Sequence, residues 1–99
     1  MEKMQLKEFI HDLIDAVNRG DYLEDIFFDY LETYNPLLLE KTYPLYTAEG
    51  DFFLAIKEGL RFTENEYEEH LLTQIASCED TDLDYLTVLE DTLYDWDTF

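Results

Sequence analysis

Basic residues are scarce in this chain and stop altogether at Arg61: 99 residues hold six Lys and Arg against 25 Asp and Glu. That shortage disfavours direct binding to nucleic acid or to an anionic membrane, since both attract cations and repel carboxylates. Cysteine occurs once, at Cys78, so no disulfide framework exists within the chain. Gly appears three times and Pro twice. No Asn-Gly or Asp-Gly pair marks a hairpin, and no alternating run suggests a strand. The longest apolar runs, FFLAI and LLL, are far too short to span a bilayer. The opening MEKMQLKEF lacks the continuous apolar core of a signal peptide. A soluble protein of the cytoplasm is expected.

Acidic and aromatic side chains are abundant. The formal net charge is −19. Residues 1–61 carry 13 acids and all six bases, whereas residues 62–99 carry 12 acids and no base. Charge of this size repels itself and opposes compaction, and roughly 2–8 net charges already keep a small domain soluble. A salt-adapted or simply very soluble protein is the plain explanation. Complementarity to a strongly basic surface is the sharper one. Hydrophobic residues make up 46% of the chain, and seven Phe, eight Tyr and one Trp supply material for a core that disordered acidic tails lack. One domain over residues 1–99 is expected.

Apolar spacing predicts helices. The first runs from about Lys3 to Arg19, with Leu6, Ile10, Leu13, Ile14 and Val17 inward and Gly20 as its C-cap. The second opens at Asp21 as N-cap and ends before Asn35-Pro36, burying Leu23, Ile26, Phe27, Tyr30 and Tyr34. NPLLLEKTYPLY, holding both prolines, reads as a short turn and an extended connector. Thr47 then caps a short third helix that buries Phe52, Phe53 and Ile56 and stops at Gly59. Thr63 to Glu66 matches a capping box for a fourth helix with Tyr67, Leu71, Ile75 and Cys78 inward. The fifth starts near Asp80 or Thr81 and turns Leu83, Leu86, Leu89, Leu93 and Trp96 inward. The expected fold is a small all-α bundle of four to five helices with an acidic surface.

Tests for chemistry return little. Asp80, Asp82 and Asp84 occupy the first, third and fifth positions of a calcium loop, but Tyr85 replaces the turn-making Gly and Asp91 the bidentate Glu. Ser77, the one serine, has no nucleophile elbow around it. His11 and His70 lie on different helices without a second ligand at metal spacing. Cys78, on an apolar stripe, suits the core better than nucleophilic attack. Neither an enzyme, nor a cofactor, nor a metal site is expected.

The carboxylates are arranged in lines. Asp21, Asp25, Asp29 and Glu32 align on the second helix, and Asp84, Asp91 and Asp95 on the fifth; Glu64 and Glu68 at the start of the fourth join them as candidate partner-binding residues. Like charges four apart on a helix destabilise it by a few tenths of a kcal/mol per pair, so their repetition suggests selection. Acids at that spacing lie about 6 Å apart along the axis, close enough to imitate a phosphate strand with one charge per ~3.4 Å. The expected partner is a basic nucleic-acid-binding protein; monomer and homodimer both stay open.

In size, charge, aromatic content and helical acid stripes, the chain resembles the small acidic inhibitors of phages and mobile elements, the DNA-mimic anti-restriction and anti-CRISPR proteins. The resemblance implies blockage of the nucleic-acid channel of a host Cas effector, restriction or repair enzyme. The chain is also similar to the helical immunity proteins that neutralise nuclease toxins, for which YLEDIFFDYLETY offers tyrosines ringed by acids. The ending YDWDTF is similar to the acidic, Phe-ended tails of single-stranded-DNA-binding proteins, without their penultimate Pro. An acidic adaptor bundle using its aromatic face is the alternative of another class.

Overall fold

The computed structural model describes residues 1–81 and 84–98, with side chains through Trp96. Six α-helices and one 3-10 turn are present among the described residues, and no strand. They are α1 (Lys3–Asn18), α2 (Leu23–Tyr34), α3 (Pro36–Glu49), α4 (Phe52–Gly59), α5 (Glu66–Ser77) and α6 (Tyr85–Thr98), with the 3-10 turn at Leu60–Phe62. Each helix packs on the next in sequence, and α6 returns to α1, closing a ring. The Cα radius of gyration is 12.3 Å, close to the ~13 Å of a compact 100-residue domain.

The core fills the ring. Leu6, Phe9, Ile10 and Leu13 of α1 meet Phe27 and Leu31 of α2, Ile56 of α4, Leu71 and Ile75 of α5, and Leu89 and Trp96 of α6, all fully or almost fully buried. Phe9 touches Phe27 at 5.6 Å between ring centres, and Phe27 meets Phe52 edge-on at 5.7 Å. From there, contacts lead through Phe28 to Tyr43 and Tyr46. Tilted and edge-on pairs of this kind add about 0.5–1.5 kcal/mol each beyond area burial. Trp96 is perpendicular to Tyr67 at 5.9 Å. It belongs to the core, which counts against a C-terminal recruiting tail built around it; Phe99 and the expected inward Leu83 lie outside the described residues.

The helix count exceeds four to five because the two prolines do not interrupt a helix. Pro36 occupies the first turn of α3, where a missing N–H costs nothing and the fixed φ suits the helix. Asn35 caps it, accepting the Leu38 N–H at 3.2 Å. Pro44 lies inside α3, but it and Glu40, whose carbonyl loses its usual donor, are both on the exposed side where water can serve. α3 ends at Gly50, whose φ of +67° is the left-handed C-cap geometry that Gly adopts without strain.

Four starts differ from the sequence expectation. Tyr22, not Asp21, is the N-cap of α2. Thr47 lies in α3, its hydroxyl donating to the Pro44 carbonyl at 2.9 Å, and Asp51 caps α4 by accepting from the Leu54 N–H. Thr63 spends its hydroxyl on the Leu60 carbonyl, so Asn65, two residues on, caps α5. Asp80 and Thr81 belong to the turn that closes α5, donating to the Ser77 carbonyl, and α6 begins only after Asp84. α4 does end at Gly59, as its sequence indicates, giving way to the 3-10 turn Leu60–Phe62. Gly59 keeps helical dihedrals and sits beneath α3, where an added Cβ would come within 2.8 Å of Thr42 Cγ2.

No helix among the described residues is long and apolar enough to cross a membrane.

Candidate protein interface

The α2 stripe survives intact on the outside. Asp21, Asp25, Asp29 and Glu32 are all exposed, because the apolar face of α2 is turned inward through Leu23, Phe27, Phe28 and Leu31. Asp21 lies 3.7 Å from Arg19. The side chains of Asp25, Asp29 and Glu32 form no ion pair or hydrogen bond among the described residues. At the C-terminal end of the stripe, Asp29 and Glu32 border a shallow pocket walled by Phe28, Leu39 and Tyr43.

The α6 line is more divided. Asp84 is exposed, and its Oδ1 accepts the Thr87 N–H at 2.7 Å, which caps the helix. That bond holds its carboxyl below the usual carboxylate range. Asp91 is exposed. Asp95 sits 3.3 Å from His70 Nε2 across the α5–α6 contact, so it links two helices as well as facing solvent. In the calcium-loop register, positions six to twelve are the helical residues Tyr85 to Asp91, and Asp82 lies outside the described residues.

The fourth-helix pair separates. Glu64 is 53% exposed at the side chain and bonds the α-amine of Met1 at 2.7 Å. Glu68 is 1% exposed and cannot be part of any outward stripe. It accepts from the same α-amine and, at 3.1 Å, from Asn35 Nδ2. Asn65 completes the cluster by donating to the Met1 carbonyl. This polar knot ties the chain's first residue to the start of α5 and to the α2–α3 junction. The paired carboxylates raise the amine's pKa although desolvation acts against them.

The bases are consumed locally. Lys57 pairs with Glu79 and Arg61 with Glu58. Arg19 donates to Tyr30 Oη and lies beside Asp21. Lys3 lies over the Tyr67 ring and Lys41 over Phe62, and Lys7 also interacts with a neighbouring group. Among the described residues no ion pair joins any of these bases to Asp25, Asp29, Glu32 or Asp91.

The segment YLEDIFFDYLETY already sets Tyr22 among acids, and the fold adds its exposure, that of Tyr94 and a contact of Tyr85. Tyr22 and Tyr94 are 73% and 69% exposed, placing aromatic rings among the acids of α2 and α6. Tyr85 donates to Glu24 Oε1 at 2.8 Å, joining the starts of those helices. Burial and that bond push the Tyr85 phenol well above its ordinary range. The Cys78 thiol is likewise pushed up by burial, which lowers its thiolate fraction. Among the described residues no three His, Cys, Asp or Glu side chains converge as a metal site.

Comparison with known proteins leaves the site to speak for itself. No protein-family model matches the chain, and neither a curated protein nor a solved structure does.

Proposed function

We propose that the protein is an acidic inhibitor whose surface carboxylates imitate nucleic-acid phosphates and block a basic nucleic-acid-binding enzyme of the host, such as a Cas effector, restriction enzyme or repair enzyme. The observation that carries this reading is the pairing pattern. Among the described residues Asp25, Asp29 and Glu32 stand exposed in a line without an ion pair or hydrogen bond, while the bases meet other groups. From the helical rise of 1.5 Å per residue, these acids are about 6 and 4.5 Å apart along α2, near the density of one charge per ~3.4 Å on a DNA strand. Asp21, Asp84 and Asp91 extend the acidic surface. Glu68 is withdrawn from it, and Asp95 contributes while bound to His70.

The exposed Tyr22 and Tyr94 favour a second reading, a helical immunity or adaptor protein that anchors through aromatic residues. Competition separates the two. A tagged protein is incubated with DNase-treated host lysate at low salt, the captured protein is purified, and binding is repeated with added duplex DNA or RNA. Mimicry predicts displacement by nucleic acid and a steep loss of affinity between about 50 and 200 mM salt. Reversing Asp25, Asp29, Glu32 and Asp91 to Lys should abolish binding with the helical circular-dichroism spectrum unchanged. Affinity that survives this reversal, or that nucleic acid fails to compete, rejects mimicry.

A further inference from the structure

The two acidic helices meet at their N-terminal ends. There a shallow groove of ≈ 360 Å³ opens between them. Its apolar wall includes Val17, Tyr22 and Leu86, with Tyr85 at the back, and Asp21, Glu24 and Asp84 border it. The Tyr85 to Glu24 hydrogen bond at 2.8 Å joins the two helix ends beside the groove.

Tyr22 is the unusual member. It stands at the N-cap of α2, yet makes no side-chain capping bond. Asn35, Asp51, Asn65 and Asp84 all accept from a backbone N–H at the equivalent place. A Ser, Thr, Asp or Asn would stabilise α2 here, and Asp21 lies one residue away, but the register gives the position to a ring that is 73% exposed. A local rule broken without a structural gain marks a position selected for something else.

Charge decides what the ring meets. Asp21, Glu24, Asp25 and Asp84 supply four negative charges near the groove. Arg19, 3.7 Å from Asp21, returns one. The starts of α2 and α6 add about +0.5 each. The balance is about −2, so a cation is favoured over an anion. A small inorganic cation would leave the apolar wall uncovered, and a polyamine, whose methylenes could lie on that wall, offers no planar cation to stack on the Tyr22 ring. An arginine covers both wall and charge, because its planar guanidinium stacks on an aromatic face and still donates in plane to carboxylates.

We propose that this groove is an anchor for an arginine of a basic protein segment, its guanidinium on Tyr22 and the flanking carboxylates, and a neighbouring aliphatic side chain on Val17 and Leu86. The proposal rests on the reading of the chain as a ligand for a basic protein and names where the specific part of that contact is made. It makes the groove, more than the stripes, the source of the slow off-rate, since interface energy concentrates in a few aromatic and arginine contacts.

The test uses the ¹⁵N-labelled full chain, titrated at about 150 mM NaCl with a capped Leu-Arg-Leu-Arg-Leu peptide, its Lys counterpart, and spermine. The Arg peptide should shift amides around Val17, Tyr22 and Leu86 more than those of α3 to α5. Tyr22→Ala should weaken it at least about fivefold, Tyr22→Phe should retain it, and Glu40→Lys, an exposed position of α3 outside the groove and the acid stripes, should change it less than about twofold. The Lys peptide should bind several-fold more weakly. Affinity that stays within about twofold in Tyr22→Ala, or a shift pattern matching that of spermine, overturns the anchor. Its failure is distinguishable from failure of mimicry. A host target lost on reversing Asp25, Asp29, Glu32 and Asp91 but bound normally by Tyr22→Ala rejects the groove and leaves mimicry standing.

Discussion

At Glu68 a negative charge is held inside the bundle between the α-amine of Met1 and the amide of Asn35. Removing one member of a buried pair costs more than the pair contributes, because the other is left desolvated and unpaired. Glu68→Gln should therefore destabilise the protein by about 3 kcal/mol, the lower end for a broken buried pair, since Glu64 still contacts the amine. Glu64→Gln, at the exposed end of the same cluster, should cost less than about 1 kcal/mol. Urea midpoints of the two variants check this, and equal losses would show that burial is not what matters there. Sequence spacing places Glu64 and Glu68 alike, four apart at the start of one helix. What separates them is a partner 67 positions away for Glu68, which no local pattern records. Asp25, Asp29 and Glu32 were legible because an amphipathic helix with a strong inner face fixes its outer face too. Tyr22 was legible as a tyrosine among acids but not as the N-cap of α2, since the first turn of a helix shifts by a residue or two without disturbing the apolar period.

Among the elements, α4 shows how close approach outweighs helix propensity. Gly to Ala in a helix interior ordinarily stabilises by roughly 1 kcal/mol. Gly59 has ordinary helical dihedrals, yet a Cβ there would meet Thr42 Cγ2 at 2.8 Å and Leu72 Cδ1 at 3.4 Å. Thr42 is buried and its hydroxyl donates to the Leu38 carbonyl at 2.8 Å, which restricts its retreat. Gly59→Ala should therefore destabilise, by about 1–3 kcal/mol as overpacking does. That corresponds to a loss of at least about 4 °C in Tm for a domain of this size. A rise in Tm would show that α3 and α4 yield easily. The same region held the largest misreading of secondary structure. Prolines ordinarily punctuate helices, but Pro36 starts α3 and Pro44 points its missing donor at water. Only the packing of Leu38 and Thr42 under α4 reveals that the segment between them is a continuous helix. Among the helices without proline, α1, α2 and α5 were legible to within a few residues because their apolar periods are long and unbroken.

For the molecule as a whole, a net charge of −19 on a body with a 12.3 Å radius of gyration stores self-repulsion that folding must overcome. Added salt acts on this in two opposing ways. It screens the repulsion among exposed acids, which stabilises, and it weakens the exposed pairs Arg19–Asp21, Lys57–Glu79 and Arg61–Glu58, which destabilises. Each exposed pair is worth about 0–1 kcal/mol, whereas Asp25, Asp29 and Glu32 of α2, which form no ion pair among the described residues, repel one another along one helix face, and Asp91 of α6 adds to that field. Repulsion should win, so Tm should rise between about 20 and 500 mM NaCl, each 1 kcal/mol relieved giving roughly 4–8 °C. Reversing Asp25, Asp29 and Glu32 to Lys takes the formal charge from −19 to −13 and should both raise Tm at low salt and flatten its salt dependence. A wild-type Tm that is flat or falls with salt would mean that the acids are too dispersed to act together. Dispersed acids would also make a poor imitation of a phosphate strand, so this melting series tests the physical premise of the proposed function before any partner is in hand.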